Sequence, residues 1–281
     1  MRRFTWLCVL GLTLFVVVMA SRGARPGKRE TSILFNDKDK YWVSAKEMVR
    51  RSIPDLLVQH ESELRRGLAY AKLMRGNPDL PKVAITFDDG PHPKYTPKIL
   101  AILKQYDTKA TFFVVGEMAE NYPDLVRAEL AAGHSVGNHT YHHVDLTQIP
   151  PAYIAAELKA CGVVLSQMGK RPPHLFRPPG GNYNDEVARV AKALGYISVL
   201  WTNDPGDYAS PGTNVIETRV IDRIRNGDII LLHDGIRQTI DALPRILRYL
   251  QSHGYETVTV DEMLADVSRN ARALRSKPAP L

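Results

Sequence analysis

The residues of this 281-residue chain that are capable of chemistry fall into five short clusters. Asp88 and Asp89 stand together in Thr86-Phe87-Asp88-Asp89-Gly90-Pro91-His92-Pro93. Two adjacent carboxylates at the end of an apolar run are costly to bury unless each is engaged. A metal ion can hold one while the other stays available as a base; an Asp-Gly-Pro turn is the plain alternative. The second cluster is His139-Thr140-Tyr141-His142-His143. Histidines four apart on a helical turn point the same way and can share a metal. His139 and His142 would also lie close, so spacing alone leaves the pair open, and a solvated His-rich loop stays in play. Two histidines with one carboxylate is a usual donor set of hydrolytic metal sites. The pattern is not His-Glu-x-x-His, which disfavours a zincin protease.

Arg177-Pro178-Pro179-Gly180-Gly181 is the third cluster. Prolines stiffen the loop, glycines let backbone approach a ligand closely, and an arginine beside a carboxylate base would fix that base. The fourth, Trp201-Thr202-Asn203-Asp204-Pro205-Gly206-Asp207-Tyr208, offers carboxylates and aromatic surface of the kind that stacks on sugar faces. In the fifth, Leu231-Leu232-His233-Asp234, a histidine directly after an apolar strand is placed to act as a general acid with a carboxylate to orient it. Taken singly, each cluster has an ordinary structural reading: a turn, a surface arginine, a satisfied core histidine.

Their positions relative to the elements around them change that. From residue 81 onward, short apolar runs alternate with amphipathic stretches of helical length. The strands are expected at 83–87, 111–115, 135–138, 175–177, 197–201, 229–232 and 257–260. The helices are expected at 97–106, 123–132, 151–168, 185–194, 215–224 and 239–252. Such alternation argues for a parallel sheet, closed or wound, with helices outside. Every cluster then sits at the C-terminal end of a strand, the face on which parallel β/α barrels build their active sites.

Taken together and in this order, the clusters make the chain similar to the polysaccharide deacetylase family, the NodB-homology domain of carbohydrate esterase family 4. The resemblance covers roughly residues 81–265. It implies an α/β fold, a distorted (β/α)7 barrel, and one divalent metal ion, zinc first and Co2+ or Ni2+ as alternatives. It implies Asp88 as general base, with Asp89, His139 and His143 as metal ligands. Arg177 would position Asp88, and Asp207 would orient His233, the general acid. Leu231 would line an acetyl pocket, and a backbone N–H near Gly180 or Gly181 would help hold an oxyanion. Two positions depart from the family pattern. Tyr208 stands where tryptophan is common, and Gly180 where an aromatic is frequent. Both concern the substrate wall, part of which Tyr183 is expected to replace.

The implied reaction is removal of N-acetyl groups from a GlcNAc-containing polysaccharide, peptidoglycan favoured. Chitin or chitooligosaccharide deacetylation and acetylxylan esterase activity are alternatives with the same chemistry. A non-catalytic glycan-binding module would lack a base, an acid or a ligand, and none is missing. The net charge of +7 invites a nucleic-acid reading, but residues 83–265 carry 17 basic against 21 acidic side chains. A nucleic-acid enzyme concentrates positive charge over its catalytic region, so no nucleic-acid partner is expected.

Outside the barrel the expectations are simpler. Arg2 and Arg3 precede an uncharged run from Phe4 to Ala20, read as a signal peptide or a membrane anchor within residues 1–20. Either places the protein outside the cytoplasm, secreted or held at the cell envelope. Residues 21–80 are expected as a basic linker over 21–42 and a helical extension. The extension starts in a capping box at Ser44, is interrupted at Pro54, and resumes over 55–75. Residues 266–281 read as a disordered basic tail. Cys8 and Cys161 imply no disulfide framework, and Cys161 reads as a small core residue. Oligomeric state has no signature in the chain.

Overall fold

The structure, a computed structural model, describes residues 48–276 together with Trp42 and Ala45, with side chains as far as residue 270. All of them belong to one compact unit, Asp37–Leu281. The run 4–20, the linker and capping box apart from Trp42 and Ala45, and residues 277–281 lie outside the described residues. Among the described residues no helix is long and apolar enough to cross a membrane.

The strands are β1 (Lys72–Leu73), β2 (Lys82–Asp88), β3 (Thr111–Val114), β4 (Ser135–Asn138), β5 (Leu175–Phe176), β6 (Ile197–Val199), β7 (Ile229–His233) and β8 (Glu256–Val258). The helices are α1 (Ile53–Arg65), α2 (Thr96–Gln105), α3 (Gly116–Asn121), α4 (Pro123–Ala131), α5 (Pro151–Ser166), α6 (Asp185–Ala193), α7 (Thr213–Ile221), α8 (Arg237–Ser252) and α9 (Val260–Ser276). All pairings are parallel, in the order β1-β6-β5-β4-β3-β2-β7, with β8 also on β2. The segment after β6 then curls back onto β7. Leu231 donates its N–H to Asn203 O (2.9 Å), and Thr202 and Asn203 donate to Ile229 O (3.1 and 3.2 Å). The sheet thereby bends into the expected distorted (β/α)7 barrel.

β2 and β7 are buried along almost their whole length, which explains their unbroken apolar runs: a parallel strand covered on both faces cannot alternate. The amphipathic helices turn their apolar faces inward. In α8, Ile240, Leu243, Ile246, Leu247 and Leu250 are all buried. All seven strands expected from residue 83 onward are present as β2–β8. Cys161 is fully buried, its thiol pushed up by burial and set 3.5 Å from Val114 O, as a core residue and not a nucleophile.

The ends of the chain differ from the sequence expectations. Pro54 does not interrupt a helix; it begins one. Ser52 caps α1, its Oγ accepting from Asp55 N, and Pro54 sits in the first turn, where its missing N–H has no intrahelical partner to lose. The helix stops at Arg65, ten residues short of its expected end, and Lys72–Leu73 adds a strand beside β6. The extension is thus part of the barrel wall. The expected disordered tail is helical as far as Ser276, since α9 carries its N-terminal apolar residues Val260 and Met263 into the core.

The seam between extension and barrel is ionic. Lys72 Nζ lies 2.5 Å from Glu63 Oε2 and 2.8 Å from the Tyr183 hydroxyl, with both charged side chains almost wholly buried. Lys72→Met would leave the Glu63 carboxylate buried without its counter-charge. It should lower unfolding stability in urea by about 3–5 kcal/mol, whereas the double variant Lys72→Met/Glu63→Leu should recover most of the loss.

Candidate active site

Strand ends and tight turns place the site. Asp88 is the last residue of β2, and Asp89 turns off it with φ +73°. Thr140 (φ +67°) and His143 (φ +57°) make the turn after β4. Left-handed backbone at non-glycine residues costs about 1–3 kcal/mol each. Three of the five such residues among the described ones are therefore concentrated here. The turn that brings the histidines together is accordingly not helical, and the expected i, i+4 helical geometry is replaced by this strained one. Asn138 Oδ1 and Thr140 Oγ1 tie it down by accepting from Thr140 N (2.8 Å) and His143 N (3.0 Å).

The strain aims three donors at one point. Asp89, His139 and His143 are buried, and their ligating atoms all lie within 4.8 Å of one another. Asp89 Oδ1 is 3.0 Å from His143 Nε2 and 3.5 Å from His139 Nε2. His139 Nδ1 is 2.8 Å from Arg177 O. A carbonyl can only accept, so Nδ1 carries the proton and Nε2 turns its lone pair inward. Two imidazoles and a carboxylate, buried, convergent and with one tautomer dictated from behind, fit a divalent cation. Burial alone would raise the Asp89 pKa, but the neighbouring His143 and His139 outweigh it and hold this carboxyl well below its ordinary range. Burial lowers the His143 pKa against the pull of Asp89. His142 is set apart: its ring is largely exposed and bonds Glu157 Oε1 at 2.6 Å. His139 and His143 are thus the convergent pair.

Asp88 is held from the core side. Arg177, fully buried, donates from Nη1 to Asp88 Oδ1 (2.7 Å) and to Thr86 Oγ1 (2.7 Å), and from Nε to Val199 O (3.1 Å). Its guanidinium lies 4.1 Å above the Phe113 ring. Asp88 Oδ2 faces the other way, 3.7 Å from His139 Nε2.

On the opposite side His233 ends β7. Its Nδ1 is 2.7 Å from Asp207 Oδ1, and its backbone N–H and the Thr239 hydroxyl donate to Asp207 Oδ2 (2.8 and 2.6 Å). Asp207 is therefore the orienting carboxylate. The adjacent Asp234 points away, accepting from the Thr96 hydroxyl and His92 N–H, and burial pushes its pKa up to about 7. Leu231, Trp201 and Gly180 line the site with these groups. Tyr208 stands edge-on to His233, with ring centroids 5.6 Å apart. Two expectations need correction. Tyr183 is not a substrate wall: its hydroxyl accepts from Lys72 in the seam under α1. The Gly181 N–H is taken by Pro178 O (2.9 Å), so it offers no oxyanion contact. Sequence reasoning missed Arg50, whose Nε lies 3.3 Å from His233 Nε2; no motif marks it. The roles of Thr86, inside the first cluster, and of Asn138, just ahead of the second, were also missed.

A model of the family "Polysaccharide deacetylase" matches residues 75–199. A peptidoglycan-N-acetylglucosamine deacetylase of Bacillus cereus is 43% identical over 187 residues, 65% of this chain and 87% of the relative. A chitooligosaccharide deacetylase of a Bradyrhizobium species is 38% identical over 189 residues, covering 62% and 86%. Among solved structures, a CE4 family pseudoenzyme from Bacillus anthracis superposes with a TM-score of 0.68 at 29% identity, covering 72% of this chain and 71% of its own. The chain belongs to the polysaccharide deacetylase family. The last neighbour means that membership alone does not carry activity; the residues must.

His233 provides a direct check on the site's electrostatics. Burial would lower its pKa, but the charge and hydrogen bond of Asp207 prevail and raise it above the ordinary 6.5. Folding then favours the protonated form. That contribution to stability is complete below pH 6.5 and is lost as pH rises through the folded value. In Asp207→Asn the desolvation remains and the charge is gone. NMR titration of the metal-free chain should find His233 below 6.5, reversing the sign of the shift.

Proposed function

We propose that this chain is a metal-dependent hydrolase that removes N-acetyl groups from GlcNAc-containing polysaccharide, with peptidoglycan as the preferred substrate. The observation that carries the reading is the convergence of Asp88, the Asp89–His139–His143 cluster and the Asp207–His233 pair on one small volume. The activities named for the Bacillus cereus and Bradyrhizobium relatives support the reaction, and the former supports the choice of peptidoglycan.

Asp89, His139 and His143 would hold the cation, zinc by the nitrogen-rich donor set. Such an ion supplies Lewis-acid polarisation and an acidified water. Asp88 is the general base. Arg177 immobilises Oδ1, so Oδ2 is the oxygen left to take the proton of the attacking water. Asp207 holds the His233 Nδ1 proton, which leaves Nε2 to deliver a proton to the departing sugar nitrogen. An amine leaving unprotonated would be too basic to depart, and the raised pKa keeps that proton in supply near neutral pH. Leu231 and Trp201 give the acetyl methyl an apolar wall. Products are acetate and a free amino sugar. We also propose an extracytoplasmic location, supported by Arg2, Arg3 and the uncharged run 4–20, and by where peptidoglycan lies.

The test is acetate release from peptidoglycan, chitin oligomers and acetylxylan. Release should be greatest from peptidoglycan, abolished by a chelator and restored by Zn2+; no release from any N-acetylated glycan overturns the reading. Asp88→Asn should keep one bound cation by elemental analysis while kcat falls about 10²–10⁴-fold. His139→Ala should fail to retain the cation.

A further inference from the structure

Residues ahead of α1 reach into the site. Arg51 N–H donates to Gly180 O (2.8 Å) and Asn182 Nδ2 donates to Val49 O (2.9 Å), so residues 49–51 lie along the 180–182 loop as an added extended strand would. Gly180 makes this contact feasible. A Cβ there would lie 2.6 Å from Val49 O and 3.3 Å from Met48 Cγ. Upstream, Trp42 packs on the far rim, its ring 4.4 Å from that of His92 and tight against Gly235. Ala45 is buried with Val115 and Met118. Trp42, Ala45 and residues 49–51 are thus each packed against the barrel.

Between these anchors Arg50 turns inward, its side chain only 5% exposed. Nε donates to His233 Nε2 (3.3 Å), the nitrogen assigned above to face the leaving amine. Nη2 lies 3.8 Å from Asp89 Oδ2, and the guanidinium is centred 4.0 Å from the Tyr208 ring. Carbonyls of its own segment, Met48 O (3.1 Å) and Ala45 O (2.9 Å), also accept from it and help hold it in this pose. Arg50 lines one small space together with Asp88, Asp89, His139, His143 and His233. Its side chain thus stands among the groups that cation and substrate must reach. Its charge also stands beside the carboxylate that a cation would need, and like charges at such separations in a buried site repel strongly.

We propose that Arg50, presented by residues 48–51, is an intramolecular plug that competes with both the cation and the scissile amide, so that ligand binding must release these residues. The inference rests on the metal-hydrolase reading above. Full-length wild type is compared with Arg50→Ala and with Trp42→Ala, which removes the packing on His92 and Gly235. Zn2+ affinity is measured by calorimetry, and amide exchange at Arg51 by NMR or mass spectrometry, with and without Zn2+ and tetra-N-acetylchitotetraose. Both variants should bind Zn2+ at least tenfold more tightly. In wild type, Zn2+ with the tetramer should speed exchange at Arg51 at least tenfold. Unchanged affinity in both variants, or exchange that stays constant or slows, overturns the plug; slowing would mark a lid that closes over bound glycan. Zn2+ bound by none of the three chains is a different failure, that of the metal-hydrolase reading, and the plug falls with it.

Discussion

The ion pair between Arg177 and Asp88 is the contact on which both fold and site depend. A guanidinium with no solvent exposure is several kcal/mol too costly to bury unless its charge and its N–H groups are matched. Asp88 supplies the charge at 2.7 Å, and Thr86 Oγ1, Val199 O and Leu200 O take the other hydrogen bonds. Those partners come from β2 and from β6 and the residue after it, while Arg177 itself follows β5. One side chain thus stitches the barrel at the level of the site. Its backbone carbonyl receives the Nδ1 proton of His139. The same residue therefore fixes the candidate base through its head and a candidate ligand through its main chain. A substitution here would disturb packing and chemistry together.

The strained turns belong to the same economy of parts. Asp89, Thr140 and His143 each hold a left-handed backbone conformation that a side chain resists. They persist because the strands that lead into them are buried at their C-terminal ends and cannot relax. Asn138 shows how the rigid part restrains the strained part. It is the last residue of β4; its Nδ2 donates to Leu158 O and its Oδ1 accepts from Thr140 N, so packing against α5 is transmitted into the histidine turn. Orienting groups behind a ligand set matter as much as the ligands.

Much of this was legible in the sequence, and the boundary between what was and was not is physical. Parallel strands buried on both faces leave continuous apolar runs, so β2–β8 and the residues at their ends could be found by pattern. The choice of His143 over His142 could not be read from spacing, because the turn is not helical and both spacings seemed workable. Tyr183 was misplaced because its partner Lys72 belongs to a strand of only two residues, too short to leave any periodicity. Pro54 was misread as a break because a proline in the first turn and one in mid-helix look alike until the cap at Ser52 is identified. Tyr183 is placed by a partner 111 residues away, whereas Pro54 is placed by a cap two residues before it.

Gly180 joins these observations to the question of selectivity. Where the family pattern often has an aromatic residue, this chain has a glycine with φ +63°, and the Val49 carbonyl and the Met48 side chain occupy the space a side chain would take. The wall of the opening is thus built from a segment outside the family-matched stretch 75–199. Tyr208, the other departure from the pattern, meets the same segment through the Arg50 guanidinium. Both departures therefore meet the same residues, 48–50. The candidate metal ligands and the candidate acid–base groups follow the family pattern, while part of the surface around them is supplied by residues 48–51, ahead of the matched stretch. Selectivity among glycans in this chain has to be sought in the residues ahead of α1 as much as in the barrel loops.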